Sequence, residues 1–114
     1  MITRILHVSD LHFGARDDPI LEESLGRLVD RADPELVIAS GDLTHRGRAE
    51  QHERAARFLR GLDRPLVVVP GNHDIPYTFP ARFTTTWRQF ERVWQTTEPV
   101  HATPSLHVVG LNAV

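Results

Sequence analysis

Three short polar segments carry the side chains of this chain that could do chemistry: Ser9–His12, Gly41–Leu43 and Gly71–Asp74. Each follows an apolar run with the composition of a strand. The segments supply carboxylates, imidazole rings and a carboxamide. Because ligands of open α/β sheets bind beyond the carboxyl ends of the strands, we expect these side chains to converge at one edge of a sheet. Their types and placement predict a metal site.

Each segment alone is a weak signal, because aspartate after glycine and Asn-His-Asp after Pro-Gly are also ordinary turn chemistry. Three such segments at corresponding ends of successive predicted strands are hard to attribute to turns. Asp10 and His12 are close enough in sequence for both side chains to face one ion. Gly41, directly before Asp42, permits a sharp turn and a close backbone approach. We therefore favour the ligand-site interpretation.

The ligand types indicate which ions and which reaction such a site would serve. Carboxylate, imidazole and carboxamide donors favour Mn²⁺, Fe or Zn²⁺ over Ca²⁺, and the chain has no cysteine. A central carboxylate can bridge two ions roughly 3.5–4 Å apart, which stabilises the attacking and leaving oxygens of a displacement at phosphorus. The ions also lower the pKa of a bridging water, so that hydroxide is available near neutral pH. Phosphoester hydrolysis is the reaction that such a site suits best.

An alternation of strands and helices must position these segments. We predict strands at Ile2–Val8, Leu36–Ala39, Leu66–Val69 and Leu106–Leu111. The continuous apolar composition of the middle two indicates burial on both faces. The order β-α-β-α-β-(α)-β predicts parallel pairing and right-handed crossovers. The predicted fold class is therefore α/β, with a mainly parallel sheet and flanking helices.

Three helices are predicted between the strands. The first has Asp18 as its cap and Pro19 at its first helical position, and its apolar stripe consists of Leu21, Leu25, Leu28, Val29 and Ala32. The second runs from about Arg48 to Arg60 and stops at Gly61. The third begins near Thr84 or Thr85, and its aromatic face is interpreted as core: Phe83, Trp87, Phe90 and Trp94.

Length and composition bound the class of protein. At 114 residues the chain allows one domain with a modest core. A formal net charge of −2 argues against a polybasic footprint for nucleic acid or a membrane surface. No apolar run is long enough to span a bilayer. A strand close to the N-terminus leaves no room for a signal peptide, which together with the absence of cysteine favours a cytoplasmic location.

At the three polar segments the chain resembles the calcineurin-like metallophosphoesterase family. The stretches His7–Gly14, Gly41–Gly47 and Pro70–Pro76 match the first three motifs of the family in order and spacing, and Val108–Asn112 looks like the strand that follows. The resemblance implies that residues 1–114 form a single partial domain, the N-terminal half of an α-β-β-α sandwich. Gly-Asn-His-Asp and Gly-Asp-Leu-Thr look like the bacterial cyclic-nucleotide phosphodiesterase branch.

The resemblance also implies roles for six side chains. The implied metal ligands are Asp10, His12, Asp42 and Asn72. Asp42 would bridge two divalent ions of the Mn, Fe or Zn type. His73 would lie beside the scissile phosphate, where it stabilises charge or protonates the leaving oxygen. Asp74 would orient the His73 ring.

The chain departs from the family pattern after His73. The family completes its two-metal site with three further histidines, two of them in a Gly-His-x-His turn. This chain has only His101 and His107 in that part, and neither lies in such a motif. We therefore interpret the chain as the first half of a longer domain, in which the second ion would keep only Asp42 and Asn72. On its own the chain is expected to be weakly active or inactive.

Three hypotheses on function follow. The leading one is a metal-dependent phosphodiesterase or phosphatase for a small phosphoester, with 3′,5′-cyclic nucleotides as candidate substrates and nucleic acid left open. The second is a non-catalytic remnant that serves as an interaction module through its open face. The third is self-association, in which a neighbouring chain supplies His101 or His107. His45 and Arg46, in the loop after Asp42, are interpreted as solvated, with contact to a substrate phosphate as the alternative.

Overall fold

The computed structural model describes residues 2–15 and 17–114. Within these residues the strands are β1 (Ile5–Val8), β2 (Leu36–Ser40), β3 (Leu66–Val69), β4 (Val100–Thr103) and β5 (Leu106–Val109). The α-helices are α1 (Asp18–Ala32), α2 (Ala49–Gly61), α3 (Ala81–Thr84) and α4 (Arg88–Trp94). A 3₁₀ turn, Asn72–Asp74, follows β3.

The first three strands form one parallel sheet in the order β1-β2-β3. β2 pairs with both neighbours, so that Ala39 lies opposite Val8 on one side and Val68 on the other. The predicted parallel pairing is confirmed for these strands, and their carboxyl ends lie at one edge of the sheet. β3 has the predicted bounds, whereas β1 begins only at Ile5.

The pairing of β1 with β2 continues into the loops that follow them. The N–H of Asp10 donates to the carbonyl of Gly41 over 3.1 Å, and the N–H of His12 donates to the carbonyl of Asp42 over 2.9 Å. Phe13 is fully buried and anchors the end of the first loop. The two loops are therefore held side by side by the same kind of backbone bonds as the strands.

The hydrophobic core gathers side chains from the sheet, the helices and both polar loops. Its fully buried members are Phe13, Ala39, Leu43, Ala55, Leu59 and Phe90. Two of them, Phe13 and Leu43, directly follow the predicted ligands His12 and Asp42 in the sequence. Because close-packed interiors resist displacement, the packing of these two side chains fixes the polar residues beside them.

The first two helices lie close to their predicted bounds. α1 begins at Asp18, whose carboxylate accepts the N–H of Gly14 over 2.9 Å, and α2 ends at Gly61. The predicted apolar stripe of α1 is buried only in part, since Val29 is buried but Leu28 is 43% exposed. The outer side of α1 is left uncovered by the described residues, which accounts for the difference.

The C-terminal part differs from its prediction in two respects. The predicted start of the third helix is wrong, because α3 ends at Thr84 and α4 begins only at Arg88, so the aromatic face is divided between two helices. Phe90 is buried, but Phe83 is 73% exposed. The last strand does not join the parallel sheet, because β5 pairs antiparallel with β4. Only Pro104 and Ser105 separate these strands, which is too short for a parallel crossover.

The surface carries several exposed apolar side chains. Among the described residues β1 is an edge strand with Ile5 exposed, and the β4–β5 hairpin exposes Val100 and Val109. Across residues 2–15 and 17–114, no helix is both long enough and apolar enough to cross a membrane.

Candidate metal centre

The loops after β1 and β2 bring three of the predicted ligands together. One donor atom each of Asp10, His12 and Asp42 lies within 4.8 Å of the donor atoms of the other two. Oδ1 of Asp10 is 3.7 Å from Nε2 of His12. Asp10 is exposed, whereas the other two are half-buried, so the group opens to solvent on one side. Two carboxylates and an imidazole in this arrangement suit Mn²⁺, Fe or Zn²⁺.

These three residues also share an unusual backbone conformation. All lie in the left-handed region, with φ of 58° at Asp10, 52° at His12 and 51° at Asp42. Residues other than glycine adopt it rarely, and each instance costs about 1–3 kcal/mol unless its surroundings impose it. Here the bonds between the two loops impose it. Strained residues of this kind cluster at binding sites, because the strain sets the direction of the side chain.

Glycine is required where the loop after β2 meets the loop after β3. A Cβ atom at Gly71 would collide with the backbone nitrogen and the carboxylate of Asp42. Gly41 has φ of +88°, and a Cβ atom there would lie 3.3 Å from the Cα of Gly71. The close approach of these two glycines places the third polar segment against Asp42.

The third segment contributes its contacts through the 3₁₀ turn. The N–H of His73 donates to Oδ1 of Asp42 over 2.9 Å, which holds that carboxylate in one orientation. Asn72, the fourth predicted ligand, is exposed on the same turn. Its carboxamide oxygen accepts a hydrogen bond from the guanidinium of Arg82 over 3.1 Å. An ion bound by Asn72 would take the place of that contact.

Asp74 is buried and joins the loops after β2 and β3. Its Oδ1 accepts the N–H of Thr44 over 2.8 Å, and its Oδ2 accepts the N–H groups of Leu43 over 3.1 Å and Gly71 over 2.8 Å. The hydroxyl of Thr44 also donates a hydrogen bond to Oδ1, over 2.9 Å. The resemblance implied that Asp74 orients the His73 ring. In the structure, the Asp74 carboxylate instead accepts hydrogen bonds from these four groups.

A different group orients the His73 ring. Nδ1 of His73 lies 2.7 Å from the backbone carbonyl of His45. A carbonyl oxygen can only accept, so Nδ1 carries the proton and Nε2 of the neutral ring keeps its lone pair. The loop after β2 therefore holds His73 at two points, through Asp42 and through His45.

The side chain of His45 also lies at the site, although it was interpreted from the sequence as solvated. One ring nitrogen each of His12, His45 and His73 lies within 4.8 Å of the others. Burial lowers the pKa of His45, and the positive charge of Arg46 lowers it further. Its position three residues after Asp42, in a loop that must pass the ends of the strands, is the signal that could have indicated this placement.

The buried side chain of His52, on α2, contacts the 3₁₀ turn Asn72–Asp74. It is fully buried, its Nε2 donates to the carbonyl of Asp74 over 3.1 Å, and its ring packs edge-on against Phe90. Burial lowers the pKa of His52, because a charged imidazolium would lose its hydration. The helical spacing of His52 with Ala55, Ala56 and Leu59 could have indicated its inward position.

This buried ring makes stability depend on pH. In the unfolded chain His52 takes up a proton near pH 6.5, whereas the folded chain resists protonation until a lower pH. We therefore expect the free energy of unfolding to fall as the pH drops below about 6.5. Urea unfolding at about pH 7.5 and about pH 5.5 measures the loss, which should be smaller in His52→Gln. Equal losses in both proteins would contradict the assignment, and His107→Gln, an exposed histidine, is the control.

Comparisons with known proteins found similarity over much of the chain. The model of the family described as calcineurin-like phosphoesterase matches residues 3–110. The glycerophosphodiester phosphodiesterase GpdQ of Enterobacter lignolyticus is 32% identical over 82 residues, which cover 61% of this chain and 29% of that protein. A probable cyclic nucleotide phosphodiesterase of Rhodopseudomonas palustris is 30% identical over 115 residues, which cover 92% of this chain and 42% of that protein.

Solved structures also match the chain. The crystal structure of the Pseudomonas putida nuclease MPE has a TM-score of 0.48 and 29% sequence identity, and the match covers 68% of this chain and 42% of that one. The chain thus spans less than half the length of each of these relatives.

Proposed function

Because the chain belongs to the calcineurin-like phosphoesterase family, we propose that the protein containing it is a metal-dependent phosphoester hydrolase. The names of curated relatives favour phosphodiesters as substrates, since they include a glycerophosphodiester phosphodiesterase and several probable cyclic nucleotide phosphodiesterases. Within that class we propose 3′,5′-cyclic nucleotides as the first substrates to examine. The proposal extends to two divalent ions in the complete site, with Asp42 between them.

The observation that carries the proposal is the convergence of Asp10, His12 and Asp42. Their donor atoms lie within 4.8 Å of one another, on backbone held in the left-handed conformation. The set fits a divalent ion of the Mn, Fe or Zn type in charge and in ligand type. Further support is the buried Nδ1 of His12, which has no hydrogen-bond partner among the described residues. When bound, the ions supply an acidified water and neutralise charge on the phosphate.

The proposed role of His73 is proton transfer to the leaving oxygen. Its Nδ1–H donates a hydrogen bond to the carbonyl of His45. Nε2 is therefore the atom that can take up and release a proton. The ring centroid of His73 lies 4.7 Å from that of His12, a proposed ligand, which supports this role. The proposed role of Asp74 is indirect, because its hydrogen bonds hold the turn that carries His73.

The direct test is hydrolysis of bis(p-nitrophenyl) phosphate and of 3′,5′-cyclic AMP by the full-length protein, with and without Mn²⁺. We expect hydrolysis that requires the ion and is lost on chelation. The 114-residue chain is assayed in parallel, with much weaker or no activity expected. Mn²⁺ binding by the full-length protein without hydrolysis of either substrate would support the alternative of a non-catalytic interaction module.

A further inference from the structure

We infer that His12, His45 and His73 form a second cation site, built only from imidazole nitrogens, beside the carboxylate-rich group of Asp10, His12 and Asp42. This inference goes beyond the proposed function and does not depend on hydrolysis. It assigns a ligand role to the side chain of His45 and adds one to that of His73. The occupant is a divalent transition ion that prefers nitrogen donors, such as Zn²⁺ or Ni²⁺.

The distances between the three rings fit such an ion after small side-chain rotations. One nitrogen of each ring lies within 4.8 Å of the others. Tetrahedral Zn–N bonds of about 2.0–2.1 Å bring ligand nitrogens about 3.3 Å apart. The ring centroids are 4.7 Å apart for His12 and His73, 6.1 Å for His45 and His73, and 6.3 Å for His12 and His45. All three side chains are half-buried, so they are partly shielded yet can still rotate.

The His73 ring also has the polar environment typical of a metal-binding histidine. Such histidines usually donate their second N–H to a carbonyl or carboxylate, which fixes the ring and its tautomer. The Nδ1 of His73 donates to the carbonyl of His45, which leaves the Nε2 lone pair for an ion. The buried Nδ1 of His12 has no partner among the described residues, so its ring has unused coordinating capacity.

The local charges allow a cation to bind there. Arg46 follows His45 directly, but its guanidinium is held over the ring of Tyr77, 5.3 Å from the ring centroid. On the other side, the carboxylate of Asp10 lies 3.7 Å from Nε2 of His12. Asp42 belongs to the same carboxylate group. These two carboxylates offset the positive charge that the cation brings.

The two sites share His12 but differ in their preference for ions. Carboxylate oxygens suit Mn²⁺, whereas three imidazoles suit Zn²⁺ or Ni²⁺. An ion on the nitrogen site also occupies the lone pair of His73. It would therefore block the proton transfer that the proposed function assigns to that ring. A Zn²⁺ or Ni²⁺ ion bound at the nitrogen site would therefore inhibit hydrolysis, if the proposed role of His73 is correct.

Isothermal titration of the 114-residue chain with Ni²⁺ and, separately, with Mn²⁺ tests the inference. We expect His45→Gln to weaken Ni²⁺ binding by about 10-fold or more and to leave Mn²⁺ binding within about twofold. The matched control is His107→Gln, which removes an exposed histidine on β5 and should change neither affinity. Wild-type Ni²⁺ affinity in folded His45→Gln would overturn the inference.

A second pair of variants keeps the two sites distinguishable. His73→Gln should also weaken Ni²⁺ binding, and wild-type Ni²⁺ affinity in this variant would overturn the inference even if His45→Gln failed to fold. Asp10→Asn removes a ligand of the Mn²⁺ site but only a neighbouring charge of the nitrogen site, so it should weaken Mn²⁺ binding more than Ni²⁺ binding. If Asp10→Asn leaves Mn²⁺ binding unchanged while His45→Gln loses Ni²⁺ binding, the carboxylate site of the proposed function fails and the nitrogen site stands. Circular dichroism establishes the folding of each variant.

Discussion

Asp42→Asn is expected to weaken Mn²⁺ binding by about 100-fold or more, since changes outside the ligand shell alone cost about 10–100-fold. The substitution is nearly isosteric. In the wild type, the N–H of His73 donates to Oδ1 of Asp42 over 2.9 Å. The carboxamide oxygen of the variant can still accept this hydrogen bond. The other carboxylate oxygen becomes an amide NH₂, which repels a cation and cannot bind it. The variant therefore separates loss of the ligand from loss of the loop structure.

Two measurements check this expectation. Titration with Mn²⁺ gives the affinity of the 114-residue chain, and hydrolysis of bis(p-nitrophenyl) phosphate gives the activity of the full-length protein. Both should fall together, while the urea midpoint of the chain stays near that of the wild type. Asp30→Asn, an exposed carboxylate on α1, controls for the change of net charge. Unchanged Mn²⁺ affinity in Asp42→Asn would remove this residue from the ligand set.

The convergence of the polar segments could be predicted because it depends on strand order and direction alone. Once β1, β2 and β3 are parallel neighbours, residues after each strand meet at one edge. The contacts of individual side chains were harder to predict from the sequence. His45 reaches the site because Phe13 and Thr44 form a β-bridge between the loops, a tertiary contact that local sequence does not encode. The role of Asp74 likewise depends on loops that are far apart in the sequence.

The C-terminal part was harder to predict for local reasons. The spacing of Phe83 and Phe90 with two tryptophans matches one helix, but the helix is interrupted at residues 85–87. Two of these residues are threonines, whose hydroxyls bond to carbonyls one turn earlier, an alternative to continuing the helix. β4 was missed because its two central residues, His101 and Ala102, lack strong strand propensity and the strand is largely exposed. Such strands are recognisable mainly through their partner.

Asp74→Asn is expected to lower the free energy of unfolding by about 2–4 kcal/mol, a large share of the stability of a domain of this size. The carboxylate of Asp74 accepts N–H groups on both oxygens, from Thr44 on Oδ1 and from Leu43 and Gly71 on Oδ2. An asparagine has one acceptor oxygen, so its NH₂ must face at least one buried N–H. That group is left without a partner, and the charge-assisted strength of the remaining bonds is lost.

Urea unfolding near neutral pH measures this loss, with Asp30→Asn as the matched control on an exposed surface. The result also decides between two roles for Asp74. If the residue acts only by orienting the His73 ring, Asp74→Asn should lower hydrolysis by the full-length protein and leave the urea midpoint of the chain unchanged. If it joins the loops after β2 and β3, the midpoint should fall. Mn²⁺ affinity should fall with it, because Asp42 and His73 then lose their fixed separation.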